Sequence, residues 1–119
     1  MDGLSKKARL VVECEQERGR FLAAFRTHGR DNPVRSKQIE EATGLSGPDV
    51  RAIVRSLRLA GYPIGSDETG YYWCVTPEDL DSTRGHIQSR KRILEAVDNA
   101  LAQTQARLRC HRPHQERML

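Results

Sequence analysis

Apolar residues follow a helical spacing up to about residue 60, switch to strand-like runs between residues 62 and 75, and return to a helical spacing afterwards. The clearest stripe is Val50, Ile53, Val54 and Leu57, whose i, i+3, i+4, i+7 spacing packs one helix face against a core. Ser46 stands where an N-cap is needed, since its hydroxyl can accept from an otherwise unpaired backbone N–H. Asp49, three residues on, is a short-armed version of the capping-box partner. This helix is expected to end near Gly61. Just upstream, Ser36–Thr43 sets Ile39 and Ala42 on one face, with Gly44 as a helix stop and Leu45 anchoring the turn between the two helices.

A third helical stretch precedes this pair, from about Ser5 to Thr27. Leu10, Val11, Cys14, Phe21, Leu22 and Phe25 give it an incomplete apolar face that Arg18 interrupts. The part from Glu17 onwards is expected to supply the first core helix, with Phe21, Leu22 and Phe25 inward. His28–Pro33 reads as a turn-rich connector, with His28 solvated, and Val34 as a short strand. Two further strands, Tyr62–Ser66 and Tyr71–Val75, flank the polar turn Asp67–Gly70, which is a hairpin signal.

After the hairpin, Thr76 is a suitable cap, Pro77 fits a first helical position, and Glu78 and Asp79 complement the positive end of a helix dipole. Leu80, Ile87, Leu94, Leu101 and Leu108 then recur every seven residues, as at a seam with another helix. Their companions Thr83, Arg90, Val97 and Thr104 are mostly polar, so the seam is partial. Ile93, Val97 and Ala100 widen it in the middle, and Gly85 is expected to break the helix early. This helix either folds back on the N-terminal helix or pairs with a second chain. Pairing is favoured because two half-sites multiply a modest affinity. The basic cluster Arg90-Lys91-Arg92, with Arg84 nearby, lies either beside a DNA face or on a solvated edge.

The order of elements predicts an α+β fold, a winged helix with a three-helix core and a β-hairpin wing, followed by a long C-terminal helix. The division expected is an N-terminal helical extension (1–16), the winged domain (17–76), the C-terminal helix (77–109) and a flexible tail (110–119). Thr43-Gly-Leu-Ser46, Val50-Arg51, Leu57-Arg58, Gly61–Ser66 and Gly70-Tyr-Tyr72 resemble the winged-helix domains related to the N-terminal domain of the biotin repressor. They are similar also to small winged-helix proteins of bacteriophages and mobile elements. The likeness covers residues 34–75. No Gly-rich ligase segment follows Val75, so biotin chemistry is not implied. In such families the second helix of the pair reads DNA, which implies that role for Arg51, Arg55 and Arg58. The spacing agrees, because Gly47, Arg51, Arg55 and Arg58 fall on the stripe opposite the apolar one. Ser46 and Lys37 would lie near phosphates. The acidic Asp67 and Glu68 argue against a wing that enters a minor groove.

Charge narrows the partners only a little. Twenty basic residues against sixteen acidic ones give a net +4 and a pI near 9.3, and arginine supplies most of the positive charge. The expected partner is double-stranded DNA, bound by a homodimer that acts as a transcriptional regulator or as an accessory factor of a phage or mobile element. A module that docks on a host protein is the alternative, motivated by the acidic wing and the modest charge. No apolar run suits a membrane span or a signal sequence, which points to the cytoplasm.

Cys14, Cys74 and Cys110 are odd in number and form no C-x-x-C pair, as expected of reduced thiols, with the first two in the core. Cys110-His111-Arg-Pro-His114 offers three local metal ligands where a closed zinc site needs four, so a polar tail is the favoured reading and no cofactor is expected. His86 reads as a helix-surface residue. No phosphate-binding loop, metal-binding His-Glu pair or serine elbow appears, which points away from an enzyme.

Overall fold

The computed structural model describes residues 4–117, with side chains described as far as residue 110. The fold is α+β. Among the described residues, α1 (Lys6–Glu13), α2 (Glu15–Arg26), α3 (Ser36–Thr43) and α4 (Gly47–Leu59) precede an antiparallel hairpin of β1 (Ile64–Asp67) and β2 (Gly70–Trp73). A 3-10 turn (Pro77–Leu80) then leads into α5 (Asp81–Arg117). The chain divides into two compact units, one ending at Thr83 and the other beginning at Arg84.

In the first unit, Phe25, Val50, Ile53 and Ile64 are fully buried in one apolar cluster that also holds Phe21, Leu22, Val34, Ile39, Leu45 and Leu57. The α4 stripe read from spacing therefore faces inward. Phe21 and Phe25 meet at a 48° tilt with ring centroids 5.1 Å apart, and Tyr71 meets Phe25 edge-on at 5.8 Å, which ties α2 to the hairpin.

The expected single helix over residues 5–27 is two helices. Cys14 is extended at φ −91° and ψ 121°, closing α1 and opening α2. Arg18 reaches back from α2, and its Nη1 donates to Val12 O at 2.8 Å, so the residue that interrupts the stripe caps the end of α1. A straight helix over this span would be about 35 Å long and would carry its first turns off the core. The break lets Ala8 and Val11 bury beside Phe21, with α1 against both α2 and α4. Residues 5–13 therefore belong to the compact unit instead of forming an extension, and Cys14 is half-buried at the joint while Cys74 is in the core.

The hairpin is shorter than expected, because Tyr62, Pro63, Cys74 and Val75 fall outside the paired strands, whose register sets Ile64 opposite Trp73 and Asp67 opposite Gly70. Both outer edges are closed. On the β2 side, Val34 and Tyr71 exchange backbone hydrogen bonds of 2.7 and 2.8 Å, and Trp73 N donates to His28 O at 2.7 Å. His28 is thus half-buried and structural; its Nδ1 lies 2.7 Å from Asn32 O. On the β1 side the partners are side chains. The Thr83 hydroxyl accepts from Ser66 N at 2.9 Å and donates to Ser66 O at 3.1 Å, and Arg58 Nε donates to Ile64 O at 2.7 Å.

The turn closes through Asp67, whose Oδ1 accepts from Thr69 N, Thr69 Oγ1 and Gly70 N. These bonds, the Thr69 hydroxyl foremost, hold the Asp67 carboxyl below its ordinary pKa. Gly70 is required, since at φ 155° a Cβ would come within 2.4 Å of Val34 O.

Thr76 caps the 3-10 turn as expected, with Asp79 as its reciprocal partner. Leu80 and Thr83 lie in the first unit, so the heptad seam within α5 begins at Ile87. Gly85 does not break α5, and the helix passes the expected end at residue 109 and runs to Arg117. No helix among the described residues is long and apolar enough to cross a membrane.

Two measurements follow from this packing. In urea titrations, Gly70→Ala should lose about 2 kcal/mol or more, since neither the φ angle nor the Val34 carbonyl can yield cheaply. Gly19→Ala, on an open surface of α2, should instead gain about 0.5–1 kcal/mol. Separately, Thr83→Val keeps the volume but leaves both Ser66 backbone groups without their partner. It should cost about 1–3 kcal/mol, whereas Thr83→Ser should stay near wild type.

Candidate nucleic-acid interface

α3 and α4 are joined by the turn Gly44–Ser46. Gly44 takes φ 75° and Leu45 is buried beneath the turn, which fixes where α4 starts. At that start the Ser46 hydroxyl accepts from Asp49 N at 3.2 Å, and Asp49 Oδ2 accepts from Ser46 N at 3.4 Å. The Asp49 carboxyl is held below its ordinary pKa, first by the Ser5 hydroxyl and then by the Ser46 groups and Lys7. Lys7 Nζ in turn donates to Gly44 O at 3.2 Å. The start of α1 is thereby fastened to the turn between α3 and α4.

The residues expected to meet DNA divide into two groups. Arg51 and Arg55 are exposed, one helical turn apart, on the α4 face opposite the buried stripe. No ion pair or hydrogen bond among the described residues holds either guanidinium. Lys37 is exposed on α3, and Gly47 sits at the first turn of α4, where a Cβ would touch Arg51 Nη1 and Glu40 Oε2 at 3.5 Å. Ser46 is occupied by capping.

Arg58 belongs elsewhere. It is half-buried, with Nε on Ile64 O and Nη2 on Ser66 Oγ at 3.1 Å. Burial lowers its pKa from the usual value. Its guanidinium joins α4 to the hairpin and is not offered to a groove. The helical period places Arg58 on the polar stripe, but the hairpin covers that end of α4, a contact no local pattern announces.

Three residues that the sequence reading left out lie around this surface. Lys7 arrives on α1, and Arg35 is exposed just ahead of α3, where its backbone N–H donates to Gln38 Oε1 at 2.9 Å. Tyr71 is half-buried; burial raises its pKa, while Arg58 and Arg51 pull it down and Glu40 pushes it up, so its phenol lies among charges from α3 and α4. Only the basic side chains carried a signal in sequence, and the placement of Lys7 depended on the break at Cys14.

The hairpin turn next to α3 is acidic. A hollow of about 390 Å³ lies between Arg35-Ser36 and the turn, lined there by Asp67, Glu68 and Thr69. Asp67 is engaged in closing the turn, which leaves Glu68 as its exposed charge. At the other end of the hairpin, the Arg26 guanidinium lies over the Trp73 ring at 5.2 Å.

The residues expected at a helix seam are open in the second unit. Ile87, Leu94, Val97, Leu101 and Leu108 are each about half exposed or more, as is Ile93. His86 is exposed, and so is Cys110; the imidazoles of His111 and His114 lie outside the described side chains.

No protein-family model, curated protein or solved structure matches this chain.

The division among the arginines can be checked by denaturation. Arg58→Ala should destabilise the fold by about 1–3 kcal/mol, because Ile64 O and Ser66 Oγ lose a charged donor in a partly buried setting. Arg51→Ala and Arg55→Ala should stay within about 0.5 kcal/mol of wild type.

Proposed function

We propose that the chain is a non-enzymatic winged-helix protein that binds double-stranded DNA through α4. The observation that carries this reading is the pair Arg51 and Arg55. Two exposed guanidiniums lie one turn apart on the second helix of a helix-turn-helix pair whose opposite face is buried. A rigid helix presenting arginines this way has the size and donor geometry for guanine edges in a major groove.

The surrounding cations suit the backbone. Lys37, Arg35 and Lys7 approach the same helix pair from α3 and α1, and each can offset a phosphate charge. Glu40 and Asp49 lie among them, so affinity rests on a few placed contacts more than on a diffuse positive field. Glu68 at the exposed hairpin turn disfavours minor-groove insertion, and the wing serves to hold α4 through Arg58. Homodimerisation through α5 completes the reading, because a second copy would bring a second α4 to the same duplex. The roles that follow are transcriptional regulation or DNA handling for a phage or mobile element.

The acidic turn favours one further reading, docking of the first unit on a host protein. The two differ in their response to salt. Phosphate contacts release counterions and weaken steeply as salt rises, while an apolar protein interface barely responds.

The test is fluorescence anisotropy of labelled duplex DNA against protein over a range of salt. Arg51→Ala and Arg55→Ala should each lose about 1–3 kcal/mol of site-specific binding while melting like wild type. Lys37→Ala should weaken all sequences alike and lower the salt slope by about one. Absence of salt-dependent binding by the wild-type chain would sink the DNA reading and leave the protein partner.

A further inference from the structure

We infer that α5 pairs with α5 of a second copy in antiparallel orientation, with Leu94 facing Val97 and Lys91 facing Asp98 at two symmetry-related places. This rests on the dimer reading above and adds the direction and register of the pair.

The occupant is argued from charge along the helix. The seam consists of Ile87, Leu94, Leu101 and Leu108, with Arg90, Val97 and Thr104 between them; its flanks carry Lys91, Asp98 and Gln105 on one side and His86, Ile93 and Ala100 on the other. In a parallel pair every seam residue meets its own copy, so Arg90 would face Arg90 across a dry core. The flanking contacts of that pair, His86 with Lys91 and Ile93 with Asp98, offer no attraction.

Turning one helix round removes the conflict. Leu94 then packs on Val97, Ile87 on Thr104, and Arg90 on Leu101, where its methylene stem covers the leucine while the guanidinium reaches water. Lys91 meets Asp98 twice, and Ile93 meets Ala100 twice on the opposite flank. His86 facing Arg107 contributes nothing attractive. Sliding the register by one heptad one way would set Asp98 against Asp98; sliding it the other way would set Lys91 against Lys91 and, although it brings Arg84 to Asp98, would face Leu101 with Thr83, whose hydroxyl is engaged with Ser66. Charge and the span of the open face, which starts at Ile87, together select one antiparallel register.

Two details of α5 agree. Asp98 has no cation three or four residues away on its own helix, where Leu94, Glu95, Leu101 and Ala102 stand, so no intrahelical pair competes with Lys91 of the second copy for it. Two shallow hollows mark the helix surface, one lined by Ile87, Arg90, Lys91 and Leu94, the other by Asp98, Leu101, Thr104 and Leu108. In this register Leu101 of the second copy enters the first and its Ile87 enters the second, as knobs into holes. The two Arg84 positions, from which the two first units continue, come to lie about 35 Å apart along the pair. A parallel pair would set them side by side.

Sedimentation equilibrium of the full chain under reducing conditions tests this. The wild type should dimerise. Lys91→Asp and Asp98→Lys should each weaken the dimer by roughly tenfold or more, since each turns two attractive contacts into repulsions. The double swap Lys91→Asp/Asp98→Lys should restore the wild-type constant to within about threefold. Circular dichroism should show unchanged helix content, as all these positions are exposed. If the single variants dimerise like wild type, or the double swap stays as weak as the singles, the antiparallel register is wrong although the dimer stands. A wild-type chain that remains monomeric would remove the pairing altogether, whatever the outcome of the DNA titration.

Discussion

A two-stranded hairpin exposes a row of unpaired backbone groups on each side, and on its own it is marginal in water. The first unit is organised around closing those two edges. Val34 and His28 close β2 with backbone groups, which fixes the connector between α2 and α3. Arg58 and Thr83 close β1 with side chains, which fixes the end of α4 and the beginning of α5. Three separate segments are thus held to one short ribbon. Phe25, Ile64 and their neighbours contribute the apolar burial, but hydrophobic contact is non-directional, and the edge bonds determine which segment sits where.

The same constraint decides which cations remain for a partner. Arg58 lies on the polar stripe of α4 with Arg51 and Arg55, yet its fork is taken by Ile64 O and Ser66 Oγ. A guanidinium used in this way holds α4 at a set angle to the hairpin and so orients the two arginines that stay exposed. Lys7 plays a comparable part at the other end of α4, through the Gly44 carbonyl. The candidate interface is rigid because its ends are fastened by the same kind of residue that its middle presents.

Local chemistry made much of this legible. The Gly44 stop, the Ser46–Asp49 cap, the inward Val50-Ile53-Val54-Leu57 stripe and the Thr76 cap are each determined within a few residues, and each stands in the structure where spacing places it. Contacts between segments distant in sequence were not legible. The break at Cys14 serves burial of Ala8 against α2 and α4, and a continuous helical pattern runs straight through it. Arg58 shows the converse failure, for helical period assigns a face but cannot know that a hairpin will cover its end. Gly85 misled in a third way: a single glycine costs about 1 kcal/mol in a helix, too little to stop one as long as α5.

α5 presents the opposite problem from the first unit, an element with regular local structure and little burial. Helix in water draws most of its stability from packing of an apolar face, and propensity alone supplies little. Ile87, Ile93, Leu94, Val97, Leu101 and Leu108 leave such a face open, in a helix whose other positions are largely charged or polar. A stripe repeating every seven residues suits a straight partner of similar length, which another α5 provides. Apolar area alone would accept that partner in either direction and in several registers. The residues that discriminate are therefore the poor ones of the seam and its flank: Arg90, unwelcome against itself, together with Lys91 and Asp98, opposite in charge across the pair. Imperfect seam positions lower stability, and in doing so they exclude the alternatives, so the polar companions that weaken α5 as a zipper are what would make its pairing specific.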